Sequence, residues 1–125
     1  MSTITLDTRA LIALEHRHQR IWKVMDRARQ VGVMPVVPAD VIAEWWRGRT
    51  DIREHIVASV RVEPLTEGLA RLAGERLAAV AGATTADAIV MASAALRGDA
   101  VYTSDLSDLE RLRAFFPGVR LIAAG

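Results

Sequence analysis

Short apolar runs suited to strands alternate along this chain with longer segments whose apolar residues recur at helical spacing, and that alternation constrains the fold most. Residues 3–6, 34–37, 60–65, 100–103 and 119–122 read as strands, each short and rich in Ile, Val, Leu or Thr. Between them the spacing predicts helices over 10–14, over 19–31 until Gly32 stops it, and from Pro38, a first-turn residue, to Gly48. Further helices are expected over 52–59, from Thr66 to about residue 81, from Thr84 and Thr85 to Arg97, and from Ser107 to about residue 116. Ser107 and Glu110 have the spacing of a capping box. Strands joined through helices pair in parallel, so the expected class is α/β: a three-layer α/β/α sandwich around a parallel sheet of four to five strands. With 125 residues, 51% of them hydrophobic, residues 1–125 read as a single domain with a real core.

On that layout four carboxylates from distant segments fall near one edge. Asp7 ends the first strand and Asp105 follows the fourth, so both lie at carboxyl ends of strands, where open parallel sheets bind ligands. Glu44 and Asp87 project from helices that pack toward the same edge. Taken singly, Asp7 and Asp105 could be turn or cap residues, and Asp87 could favour a helix N-terminus. Glu44 is harder to assign to structure, because it stands among Val41, Ile42, Trp45 and Trp46, where an unpaired charge is costly unless the helix turns it outward. Four acids brought close together repel one another, and a divalent cation relieves that repulsion. Oxygen-only ligation suits Mg²⁺ or Mn²⁺. Zinc would want Cys or His, and the chain has no Cys and only His16, His18 and His55.

The remaining composition narrows the setting. No run of about 18 apolar residues is present. The N-terminus lacks the basic and apolar regions of a signal peptide, so a cytoplasmic protein without a membrane span is expected. Absence of Cys excludes a disulfide framework and agrees with that compartment. The net charge is +1, yet residues 1–61 hold ten Lys or Arg against seven acids, whereas 62–125 hold six against eight. Arg17, Arg20, Lys23, Arg27 and Arg29 recur along one helix and Arg47, Arg49 and Arg53 follow the next, a pattern suited either to a phosphate backbone or to a solvated helix face.

Four segments, in order, resemble the motifs of PIN-domain proteins, in particular the VapC-type toxins of bacterial toxin–antitoxin pairs. They are Ile4-Thr5-Leu6-Asp7-Thr8, Pro38-Ala39-Asp40-Val41-Ile42-Ala43-Glu44, Ala86-Asp87-Ala88 opening a buried helix, and Val101-Tyr102-Thr103-Ser104-Asp105 with Asp108. The resemblance runs end to end. It implies a Mg²⁺- or Mn²⁺-dependent endoribonuclease that hydrolyses RNA, often tRNA or rRNA, and is held inactive by a cognate antitoxin. It further implies Asp7, Glu44, Asp87 and Asp105 as metal ligands, Asp108 as an auxiliary catalytic acid, and a homodimer. Glu44 or Asp108 could orient the attacking water. Thr103 or Ser104 would stand near the phosphate, Arg9 departs from the usual pattern and is expected to point into solvent, and Trp22, Trp45 and Trp46 are either interface anchors or core.

Two rival classes are open to the same residues. A phospho-receiver domain also sets acids at strand ends, but it needs an Asp after the third strand and a late Lys. Here that strand ends in Pro64-Leu65 and the single Lys is Lys23. A catalytically degenerate PIN-like module that binds RNA or protein is the alternative; metal binding without cleavage would identify it.

Overall fold

The structure is a computed structural model and describes residues 3–124. Five strands, β1 (Ile4–Leu6), β2 (Val36–Pro38), β3 (Arg61–Glu63), β4 (Ala100–Thr103) and β5 (Arg120–Ala123), form one sheet in the order β3-β2-β1-β4-β5. Every pairing is parallel. Helices α1 (Thr8–Glu15) and α2 (Gln19–Gln30) connect β1 to β2, and α3 (Ala39–Trp45) and α4 (Asp51–Ala58) connect β2 to β3. The chain then reverses through α5 (Glu67–Leu77) and α6 (Thr85–Arg97) to β4, and α7 (Leu106–Arg113) leads to β5.

Right-handed crossovers put the first four helices over one face of the sheet and the last three over the other, which makes the three layers. The central strands are buried on both sides, as parallel strands must be. Leu6, Val36, Val37 and Val101 are wholly shielded, whereas Arg61 and Val62 on the edge strand β3 are exposed. Helix α6 lies against β1, β2 and β4 and is buried continuously from Ala88 to Ala94. Its small side chains permit that close approach. Thr84 caps its N-terminus, and Gly98, at φ 72°, ends it in the left-handed conformation that glycine adopts without strain.

Element boundaries depart from the sequence expectation where local chemistry intervenes. Pro38 does not open α3. It ends β2 in register with Glu63 and stands as the N-cap residue with extended backbone. The third strand shrinks to Arg61–Glu63 because Pro64 has no amide to continue the ladder. Helix α5 stops at Leu77 rather than near residue 81. The expected Ser107 cap is replaced by Asp105, and α7 begins at Leu106. Among the described residues no helix is long and apolar enough to cross a membrane.

Candidate metal-binding cleft

Strands β1 and β4 are neighbours whose following connections leave in opposite directions, so a crevice opens at their carboxyl ends. A cleft of about 290 Å³ lies at this edge, lined by Asp7, Glu44, Asp87 and Asp108 together with Thr8, Arg9, Ile12 and Thr84. Three of the four acids expected as ligands therefore share one cleft.

Asp7 is the most enclosed, 4% exposed, and it caps α1 by accepting the Ala10 amide at 2.9 Å. Burial pushes its carboxyl up from 3.8 to about 6. The neighbouring Thr103 hydroxyl and the Ala10 amide oppose that shift, Asp87 adds to it, and Arg9 offsets a little. Asp87, in the first turn of α6, is also raised, first by burial and then by the charges of Asp108 and Glu44, against a lowering contact with Thr84. Glu44 is exposed rather than packed among its apolar neighbours. α3 turns it outward, and the Thr8 hydroxyl donates to its Oε1 at 2.6 Å. The two tryptophans beside it in sequence take the inward side, Trp45 being buried and donating its indole N–H to Glu15 at 2.9 Å.

Asp105 does not line the cleft. Its Oδ1 accepts from the Ser107 amide at 3.1 Å and the Ser107 hydroxyl at 2.6 Å, closing the first turn of α7. These bonds hold its carboxyl below the usual range. One turn on, Asp108 occupies the cleft instead. The local cap engages the Asp105 side chain, and helix geometry brings Asp108, three residues later, to the cleft lining. Arg9 is exposed, as expected, and lies at the rim of the cleft. Its guanidinium stands 3.6 Å from Asp108 in a solvent-exposed ion pair.

Asp40 was overlooked. Both of its carboxylate oxygens are shielded and lack a well-aligned hydrogen bond; burial, with the charge of Glu44 adding and the nearby Asp40 and Val41 amides opposing, raises it to about 6. Its signal in the sequence was an acid in a helical first turn flanked by Val37 and Val41. Of the other candidates, Trp22 is half-buried, stacks on His55 at 5.9 Å and lines a separate cleft of about 380 Å³ between α2 and α4. Ser104 donates to the Arg9 carbonyl at 3.2 Å, bracing the cleft's rim.

Among the described residues no three Asp, Glu or His side chains converge closely enough to form a ready metal cage. The donor set still fits Mg²⁺ or Mn²⁺: it is all oxygen, and Mg²⁺ commonly keeps several waters while taking one or two carboxylates. The raised Asp7 and Asp87 are carboxylates that a cation would relieve.

No protein-family model and no curated protein matches the chain. Among solved structures, a chain of the DNA-bound VapBC complex of Salmonella typhimurium superposes with a TM-score of 0.74 at 18% identity, covering 100% of both chains. PAE2754 of Pyrobaculum aerophilum follows with a TM-score of 0.59 at 22% identity, covering 98% of this chain and 91% of its own. Together with the strand order and the switch-point cleft, these matches show that the chain has the three-layer fold of VapC-type PIN domains.

Proposed function

We propose that the protein is a Mg²⁺- or Mn²⁺-dependent endoribonuclease acting as the toxin of a toxin–antitoxin pair. The observation that carries this reading is the meeting of Asp7, Glu44, Asp87 and Asp108, from four separate segments, in one cleft at the switch point of the sheet. An ion held there would lower the pKa of a bound water and offset charge on the phosphodiester. Asp7 and Asp87, the two acids lining the cleft whose carboxyls burial raises, are the primary holders, with Glu44 and Asp108 completing the set.

The chain's own residues do the rest. Thr8 fixes the direction of Glu44, and the α1 amide fixes Asp7. Glu44 and Asp108 are the acids open to water, so one of them orients the nucleophile. Arg9 neutralises Asp108 in the absence of RNA and is placed to turn toward an incoming phosphate. Asp105 acts indirectly, by fixing the start of α7 and hence the position of Asp108.

The test is cleavage of a mixed tRNA and rRNA pool with Mg²⁺, Mn²⁺ or chelator, with Asp7→Asn alongside. Metal-dependent cutting that the variant loses supports the reading; cutting that survives the substitution removes the cleft from the account. The lack of a preformed three-carboxylate cage favours a second reading, the degenerate binding module. Calorimetry showing bound metal without cleavage would select it. The toxin assignment includes a homodimer and an antitoxin, for which the Trp22–His55 cleft offers an apolar docking place. Light scattering of the protein alone and mixed with its neighbouring gene product tests both.

A further inference from the structure

Seven of the sixteen Lys and Arg side chains are neutralised by the molecule's own acids. Arg9, Arg29, Arg49, Arg53, Arg71, Arg97 and Arg113 each lie within 4 Å of a carboxylate. Four that are not, among the described residues, gather at one place. Arg20, Lys23 and Arg27 on α2 and Arg120 on β5 line a groove of about 580 Å³, and no acid lines it.

Its floor follows from the sheet register. Ile4 pairs with Ala100, which pairs in turn with Arg120, and Leu6 pairs with Tyr102, which pairs with Ile122, so these side chains share one face. Helix α1 lies over β1 and β4 and Ala100 is buried, but toward the carboxyl halves of β4 and β5 the face is only partly covered, leaving Tyr102 and Ile122 half-buried. Arg20, Lys23 and Arg27 have the spacing of one helix stripe. They span about 10 Å at the usual rise per residue, which is about three steps of a stacked nucleic-acid strand.

We infer that this groove is a second RNA-holding surface, away from the acidic cleft, in which the α2 cations and Arg120 contact phosphates and a base lies on Tyr102. The inference rests on the ribonuclease reading for the identity of the strand. Charge argues for that occupant: a second copy of the same face would bring four more cations against these four. A cationic groove with an aromatic floor is the general form of single-strand binding sites.

The experiment measures affinity of Asp7→Asn protein for a labelled single-stranded RNA, in chelator, across a salt series. Arg27→Glu and the triple reversal of Arg20, Lys23 and Arg27 are compared with Arg76→Glu, an exposed cation without a carboxylate partner on α5, across the sheet. All these side chains are exposed, so melting should not change. The expected result is a loss of about tenfold or more for the triple variant, with the salt slope falling by about 0.7 for each contact removed. Tyr102→Leu is expected to lose about tenfold, in the range of one stacked base.

Equal weakening by Arg76→Glu and Arg27→Glu would overturn the inference, since net charge alone would then explain binding. So would displacement of RNA by an oligo-glutamate peptide of matching charge, or a wild-type dimer that Arg27→Glu dissociates. Wild-type protein that cuts RNA with metal but whose groove variants bind and cut normally leaves the nuclease standing and the groove discarded. RNA binding that needs the groove, without cleavage in any metal, does the reverse.

Discussion

Asp7 and Asp99 are both buried acids at ends of central strands, and their surroundings are opposite. Asp99, 1% exposed at the amino end of β4, accepts from the Thr3 amide at 2.7 Å, the Thr5 hydroxyl at 2.9 Å and Arg97 Nε at 2.9 Å. Burial alone would raise it, but the bonds from Arg97, Thr3 and Thr5 win and hold it below the ordinary carboxylate range. Arg97 also binds Glu63 and the Thr5 hydroxyl, so this network is closed. Asp7, at the carboxyl end of β1, has one amide and a hydroxyl, and its carboxyl stays near 6. One acid is satisfied by its own fold; the other is left wanting a cation. Buried charge is a structural element in the first case and a site in the second.

The largest expected effect tests the satisfied end. Arg97→Met would leave Asp99 and Glu63 without their cation in a shielded place, a change that costs about 3–5 kcal/mol. Urea denaturation at neutral pH measures it. A loss below about 1 kcal/mol would mean the network is no more than a surface ion pair.

At the other end the same logic predicts a gain. Asp7→Asn keeps a capping side chain, since Asn serves at an N-cap as well as Asp, while removing the buried charge. A rise from 3.8 to about 6 corresponds to roughly 3 kcal/mol at most. The sign follows from linkage. Asp7 binds its proton more tightly when folded, so its contribution is full below pH 3.8 and is lost as pH rises through about 6. In chelator, wild-type stability should therefore fall as pH rises from 3.8 through about 6, and Asp7→Asn should flatten the decline and gain about 2 kcal/mol above that window. Saturating Mg²⁺ should abolish that gain by stabilising the wild type alone. A gain that persists in Mg²⁺ would show that no ion reaches Asp7.

This contrast was half legible in the sequence. Strand-helix alternation and the terminal acids of β1 and β4 are local patterns, so the sheet, the layer order and Asp7 followed from them, as did Asp87 behind its Thr84 cap. What failed was decided by partners far away or by competing local bonds. Arg97 and Asp99 look like an ordinary helix end, and only the fold brings Thr3, Thr5 and Glu63 to them. Asp105 and Asp108 are both plausible from spacing, and the choice between them is made by the Ser107 hydroxyl. The outward turn of Glu44 depends on Trp45 finding Glu15, thirty positions away in sequence.

The Asp105–Asp108 choice can be sharpened by substitution. Asp108→Ala should cut hydrolysis strongly with little change in melting, because it removes a half-exposed acid from the cleft. Asp105→Asn, which preserves a cap, should retain most activity, whereas Asp105→Ala should lose some of both activity and thermal stability through fraying of α7. Equal, complete inactivation by Asp105→Asn and Asp108→Ala, at unchanged melting, would return Asp105 to the metal site.

The smallest effect concerns Asp40, which falls between the two extremes: raised by burial like Asp7, but on the helix that carries Glu44 rather than in the cleft. Its rise to about 6 would be worth roughly 3 kcal/mol if it were fully shielded. The residue is partly exposed, and screening by solvent reduces the expected value to about 1 kcal/mol. The favourable pull of the α3 N-terminus on an acid is weaker than this desolvation, or the carboxyl would not be raised. Asp40→Asn should accordingly stabilise the metal-free protein by about 1 kcal/mol at pH 8 and by almost nothing below pH 3.8, where the carboxyl holds its proton in the folded and unfolded chain alike. The two measurements separate charge from packing, since a packing change would be the same at both pH values. If Asp40→Asn instead lowers metal affinity while leaving both stabilities unchanged, the Asp40 carboxylate belongs with Asp7, and the site extends along α3 beyond Glu44.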